Sequence, residues 1–207
     1  MPERPETLAV AFVEALNPSA VKVTDLSSLS FNPEFRSLCE ANHCGHYDKN
    51  WTCPPRVGEL APLIEEVGSF EKALVYQLVG KLSHPMDWKG VLECGSAFNR
   101  ISYKIADELR PKLSRSLLLG AGPCRYCGDC AFPVGEPCRH PDKAVRSLEA
   151  NCVDVSFLAR SCGLGYINGP DTIRGRYKIN FTFVARVCNS TLHENLPVSN
   201  LNRLTLL

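Results

Sequence analysis

The chain has 207 residues, and 44% of them are hydrophobic, so it can bury a core without covalent crosslinks. Its 23 Lys and Arg nearly balance its 22 Asp and Glu, and the net charge of +1 argues against a protein held to nucleic acid mainly by phosphate contacts. No run approaches the roughly 18 uninterrupted apolar residues of a membrane span, and no secretory signal is visible. We therefore expect a cytoplasmic protein.

Hydrophobic periodicity predicts alternating helices and strands. In the first half we expect a short helix over 8–16, a short strand over 20–23, a helix over 58–68 and a buried strand over 70–79. A long helix over 91–109 and a strand over 116–120 follow, then a helix over 141–150, another over 156–162 and a last strand over 177–188. The long helix between two strands favours a βαβ-type crossover.

These elements predict an α/β or α+β fold with a single small sheet, helices packed on it and two cysteine-rich cluster-binding loops. We expect one cysteine-rich metal-binding domain over residues 1–188 and a C-terminal tail over 189–207 that lies loosely on the surface. The second cysteine loop directly follows the strand over 116–120. It would therefore begin at the carboxyl end of that strand, where open α/β sheets place ligands.

The cysteine count is the outlying feature of the composition. There are eleven cysteines, an odd number, and several are tightly spaced. This pattern makes a poor disulfide framework. It favours reduced thiolates bound to metal in a reducing compartment.

The densest group of cysteines has the spacing C-x2-C-x2-C-x7-C, and its members are Cys124, Cys127, Cys130 and Cys138. The first three positions match the bacterial ferredoxin run, C-x2-C-x2-C-x3-C-P, and the fourth is displaced. The overlapping knuckles favour a [4Fe–4S] cluster over zinc, which usually takes two separated C-x2-C pairs. Zinc is one alternative, and unliganded thiols or disulfides are another.

An earlier group has the spacing C-x4-C-x8-C and contains Cys39, Cys44 and Cys53. Three thiolates would leave one iron of a four-iron cluster open or filled from elsewhere. The candidate partners within this stretch are His43, His46, Tyr47 and Asp48. A second cluster is our preferred interpretation, and the alternatives are zinc bound by three cysteines and one histidine, or unliganded thiols.

The ligand assignment has two versions. In two-cluster ferredoxins the fourth cysteine of the run serves the other cluster, so Cys138 could complete the earlier site. We favour a local set of four plus three, because a seven-residue spacer can fold back over one cluster.

Four cysteines lie outside both motifs: Cys94, Cys152, Cys162 and Cys188. We interpret them as small buried hydrophobes, and Cys94 is the first to test as a missing ligand.

Two motifs together resemble the family of predicted metal-binding proteins named domain of unknown function 2284. They are Cys39…Cys44…Tyr47…Trp51-Thr-Cys53-Pro-Pro, and Gly122-Pro-Cys-Arg-Tyr-Cys-Gly-Asp-Cys130 through Cys138-Arg-His-Pro, then Ser147-Leu-Glu-Ala150 and Val153-Asp-Val155. The resemblance spans roughly residues 36–188 and implies metal binding, with iron–sulfur favoured, but no established reaction. The chain departs from the pattern at Asn151-Cys152, where a glycine or small residue is expected.

Three functions are consistent with these motifs. The first is an iron–sulfur protein that carries one or two [4Fe–4S] clusters and acts in electron transfer with a protein redox partner. The second is an enzyme that binds substrate at an open iron of the three-cysteine site, with His43, His46 or Asp48 handling protons. The third is a zinc-stabilised interaction module without a redox role.

Overall fold

The computed structural model describes residues 5–26, 29–84, 87–113 and 115–165, together with the backbone of residues 178–187. In chain order, its five strands are β1 (Ala20–Asp25), β2 (Lys72–Lys81), β3 (Leu118–Gly120), β4 (Arg146–Ser147) and β5 (Lys178–Val187). They form one mixed sheet in the order β1-β2-β5-β3-β4. All neighbouring pairs are antiparallel except β3 and β4, which run parallel.

The described α-helices are α1 (Pro5–Ala15), α2 (Phe35–Glu40), α3 (Leu60–Gly68), α4 (Trp88–Lys104) and α5 (Val155–Ser161). A π-helical turn over Ile105–Leu109 continues α4, and a 3-10 turn over Arg110–Lys112 ends it. No helix within the described residues has both the length and the apolar character needed to cross a membrane.

Strand β2 divides the core into two layers because its side chains alternate between the two faces of the sheet. Leu74 and Tyr76 point into one cluster, where α1 contributes Phe12 and α4 contributes Phe98. Ala73 and Val75 of the same strand point to the opposite face. They belong to a second cluster, which includes Val67 of α3 and Leu158 of α5. Helices therefore cover both faces of a single sheet. The predicted mixed α and β architecture is confirmed.

The predicted crossover is present, but β5 lies in the sheet between the two strands that the crossover connects. Strands β2 and β3 are both antiparallel to β5, so they run parallel to each other on either side of it. The long helix α4 connects them. The second cysteine loop leaves the carboxyl end of β3 at Gly120, as the sequence predicted.

Most predicted elements agree with the structure to within a few residues, but the helix predicted over 141–150 is wrong. Residues 141–143 form a turn, Arg146–Ser147 form β4, and Glu149–Asn151 form a 3-10 turn. The apolar side chains in this stretch are buried because Leu119 pairs with Arg146 and Gly120 with Ser147 at the sheet. Sheet pairing thus overrides the local helical pattern. The tail predicted over 189–207 lies outside the described residues.

The buried phenol of Tyr76 gives a first prediction. Its hydroxyl lies 2.8 Å from the Ser102 hydroxyl, which in turn donates to the carbonyl of Phe98 at 3.1 Å. Tyr76→Phe removes one buried hydrogen bond but keeps the ring stacked on Phe98, whose centroid is 5.4 Å away. We expect the free energy of unfolding to fall by about 1 kcal/mol, measured by urea titration of the metal-loaded protein. An unchanged unfolding midpoint would contradict the assigned bond.

The carboxyl of Glu149 gives a prediction on pH. Burial raises its pKa, and this outweighs the opposing effects of its own backbone N–H and the Ser147 hydroxyl. The stability linked to the neutral carboxyl is complete below the unfolded-state pKa of about 4.3 and is lost as pH rises through the folded-state pKa.

Glu149→Gln carries a neutral side chain at every pH. We therefore expect the variant to be more stable than wild type at pH 7, and the difference to vanish as pH falls below about 4. Urea unfolding at a series of pH values checks this. A variant that is less stable than wild type at neutral pH would show that Glu149 is held as a stabilising carboxylate.

Candidate metal centre

The first cysteine loop runs from α2 to Pro55. Cys39 lies in the last turn of α2, and the chain then turns through Asn42 and Asp48, whose φ values are 55° and 51°. Short polar side chains tolerate this left-handed conformation better than most residues. Asn42 Oδ1 accepts the backbone N–H of Tyr47 at 3.0 Å, and Asp48 pairs with Arg56 at 2.7 Å. These bonds fold the loop back on itself.

The three thiols of the folded loop influence one another electrostatically. Burial raises the pKa of the Cys39 thiol, and the negative charges of Cys44 and Cys53 raise it further, while Arg36 lowers it. Cys44 is exposed, and the other two thiols are half-buried. The loop therefore offers a compact set of three soft donors, one of them at the surface.

The second cysteine loop is centred on Cys124. Burial raises the pKa of this thiol. The backbone N–H groups of Tyr126 and Val145 donate to its sulfur and lower the pKa, whereas Cys138 and Cys127 raise it. Cys138 thus lies beside the first cysteine of its own loop. Cys130 is half-buried in the same loop.

The two loops pack directly against each other. Trp51 donates its indole N–H to the carbonyl of Glu136 at 3.1 Å, and its ring meets Phe132 edge-on with centroids 5.0 Å apart. The Thr52 hydroxyl accepts the backbone N–H of Cys124 at 3.1 Å. The charge of Cys124 also raises the pKa of Cys53, after the larger effect of burial. The two loops therefore lie side by side, with Cys53 near Cys124.

Both loops are anchored to the segment that follows β4. The backbone N–H of Leu148 donates to the carbonyl of Gly120, at the start of the second loop, at 3.0 Å. On the other side, Asn32 donates to the carbonyl of Cys152, and Asp154 donates to the carbonyl of Ser30, each at 2.8 Å. The chain that enters α2 and the chain that leaves β3 are thus positioned against the same short segment.

Aromatic and charged side chains surround the second loop. The ring of Tyr126 meets Tyr103 and His140 edge-on, each with centroids 5.2 Å apart. The Tyr126 hydroxyl donates to Asp107 at 2.9 Å, and Lys143 pairs with the same carboxylate at 2.8 Å. His140 therefore contacts an aromatic ring, and the helix that it was expected to precede does not form.

Two groups considered as proton carriers have other partners. Asp48 is held in the ion pair with Arg56, on a side chain that is 44% exposed. Burial lowers the pKa of His46, and the charges of Arg125 and Lys49 lower it further. His43 is exposed. These three side chains are therefore not arranged as a shared acid–base pair.

Cys152 is the most informative cysteine outside the two motifs. It is fully buried, its sulfur receives the backbone N–H of Arg36, and its charge contributes to raising the pKa of Cys39. Its φ of 54° is the left-handed conformation that glycine adopts most readily. A glycine is expected at this position because glycine adopts a positive φ without steric cost. Cys94 is buried in α4, Cys162 is half-buried, and Cys188 lies outside the described residues.

The donor chemistry of the two loops fits a thiolate-bound metal. Every cysteine that the structure describes is a free thiol, and thiolates are the ligands of iron–sulfur clusters and of structural zinc. Across residues 5–165, apart from the undescribed gaps, no three His, Cys, Asp or Glu side chains are already gathered at the spacing of a metal-ion site. Several of the described thiols lie near one another, but they are not arranged around one metal position.

Sequence reasoning missed two residues that link the loops, Asn50 and Thr52. Both are buried and lie within three residues of Cys53. Their polar side chains beside a candidate ligand were the available signal. The role of Thr52 could not be predicted from this signal, because its partner Cys124 is 72 positions away in the sequence.

Comparisons with known proteins identify the family. No curated protein and no solved structure matches the chain. The model of the family described as "Predicted metal-binding protein (DUF2284)" matches residues 22–183, which include both cysteine loops and most of the sheet. The chain therefore belongs to the DUF2284 family of predicted metal-binding proteins.

Proposed function

We propose that this protein is an iron–sulfur protein of the cytoplasm that transfers electrons to or from a protein partner. One [4Fe–4S] cluster would be held by Cys124, Cys127, Cys130 and Cys138. A second would be held by Cys39, Cys44 and Cys53, with its fourth ligand not assigned by this proposal. The clusters would supply one-electron redox chemistry, which no ordinary side chain provides.

The observation that carries the proposal is the direct contact between the two thiol-rich loops. Cys53 and Cys124 lie close enough for the charge of one to affect the other, and Thr52 bonds across the interface. Two centres held this way would be neighbours, so an electron could pass between them without a large movement of the protein. The seven cysteines of the two loops are more than the four ligands that a single structural zinc ion takes.

The surroundings of the sulfurs support metal-bound thiolates. The backbone N–H groups of Tyr126 and Val145 oppose the rise that burial causes in the pKa of Cys124, and the Asn50 side chain does the same for Cys53. Hydrogen bonds to sulfur stabilise the added negative charge of a reduced cluster and raise its potential. Trp51 and Phe132 cover the junction between the loops and limit access of water there.

Apolar side chains beside the ligands suit the docking of a redox partner. Leu38, next to Cys39, is 61% exposed, and Val134, between Cys130 and Cys138, is 70% exposed. Cys44 itself is exposed. Transient redox interfaces are small, so a few exposed apolar groups near a cluster can suffice for contact.

Metal analysis of protein purified anaerobically tests the proposal. Two clusters predict about eight irons and about eight sulfides per chain, and one cluster predicts half of each. The ultraviolet–visible spectrum should show broad absorption that bleaches with dithionite. Colourless protein that carries stoichiometric zinc instead would replace this proposal with the zinc-stabilised interaction module.

Serine variants at single cysteines test the ligand assignment. Cys127→Ser is expected to lower the iron content by up to about four per chain through the second loop alone, and Cys53→Ser by up to about four through the first. Cys94→Ser is the control, because Cys94 is buried in α4 outside both loops. Iron content is measured together with electron paramagnetic resonance of the reduced protein. Equal losses in the Cys94 and Cys127 variants would contradict the assignment.

A further inference from the structure

Two buried side chains, Asn50 and Thr52, join the two cysteine loops through hydrogen bonds. Each is only 5% exposed. Oδ1 of Asn50 accepts both the backbone N–H of Thr52 at 3.0 Å and the Thr52 hydroxyl at 2.8 Å. The Thr52 oxygen in turn accepts the backbone N–H of Cys124 at 3.1 Å.

The direction of each hydrogen bond in this path is fixed. Thr52 donates both of the bonds that join it to Asn50, because the amide oxygen Oδ1 can only accept. Because the Thr52 hydroxyl donates its one proton to Asn50, its lone pairs face the N–H of Cys124. The N–H of Cys124 thus donates from the second loop to the first, and the Thr52 hydroxyl donates onward within the first loop, so that each bond polarises the next.

We propose that Asn50 and Thr52 are positioning residues that couple the two metal centres. Thr52 holds the backbone of Cys124 in place, and Asn50 orients Thr52 through two hydrogen bonds. A change at Thr52 in the first loop therefore alters ligand geometry in the second. The identity of the metals rests on the proposed function, but the hydrogen-bonded connection does not.

Paired variants separate this role from general destabilisation. Thr52→Val keeps the shape of the side chain but removes the hydroxyl, leaving the Cys124 N–H without its acceptor, whereas Thr52→Ser retains the hydroxyl. Ser19→Ala is the matched control outside the loops, since the Ser19 hydroxyl also accepts a backbone N–H, from Val79 at 2.9 Å. Thr52→Ala, which removes both the hydroxyl and the methyl group, provides a second variant should the valine variant not fold.

The experiment has three readouts on the anaerobically purified full chain. Amide hydrogen exchange at Cys124 should accelerate by on the order of fivefold in Thr52→Val, which corresponds to one lost hydrogen bond, and return towards wild type in Thr52→Ser. Release of metal to a chelator should be faster in Thr52→Val than in Ser19→Ala. Exchange at the backbone N–H of Thr52 should accelerate in Asn50→Leu, because that N–H loses its acceptor Oδ1.

The outcomes distinguish this inference from the proposed function. Protein that contains zinc in place of iron overturns the proposed function, while the exchange and chelator measurements still test the connection between the loops. The inference is overturned if Thr52→Val matches Ser19→Ala in metal release and leaves exchange at Cys124 unchanged. It is also overturned if Thr52→Ser fails to restore what Thr52→Val loses.

Discussion

The packing of the two cysteine loops against each other is the contact on which the proposed chemistry depends. Both loops are only partly buried, and neither contains a hydrophobic core of its own. Their order comes from Trp51 bonded to Glu136, from Thr52 bonded to Cys124, and from the segment after β4 that receives both chains. The sheet contributes by fixing where β3 ends, because that end defines the starting point of the second loop.

The electrostatics of this region explain why a metal would also act as a structural component. Several thiols lie close to one another, and both burial and mutual repulsion oppose ionisation of Cys39 and Cys124. A bound cationic centre reverses this balance, since it requires thiolates and neutralises their charge. Metal binding and folding of the loops are therefore expected to stabilise each other.

The sequence was sufficient where the determining pattern is local. Helix α3 and strand β2 could be predicted because their apolar side chains repeat with helical or alternating spacing within about ten residues. The two groups of cysteines were visible for the same reason, since each depends on spacing within one loop.

What could not be predicted depends on partners that are distant in sequence. The stretch over 141–150 has helical periodicity, yet it pairs with Leu119 and Gly120. The closeness of Cys53 to Cys124, and the bond from Cys124 to Thr52, join residues 71 or 72 positions apart, and no local pattern encodes such a contact. The left-handed conformation of Cys152 was signalled only as a departure from an expected glycine.

Strand β5 lies in the middle of the sheet, and its position affects when the second loop gains its full support during synthesis of the chain. Strand β3 leads into the second loop, and its antiparallel neighbour is β5, where Leu118 pairs with Ala185 and Leu119 with Val184. All eight cysteines from Cys39 to Cys138 leave the ribosome before that strand does. Because long-range strand pairing forms late, the support beneath the second loop is complete only after β5 has been synthesised. We therefore expect metal binding by the second loop to follow the pairing of β5 with β3.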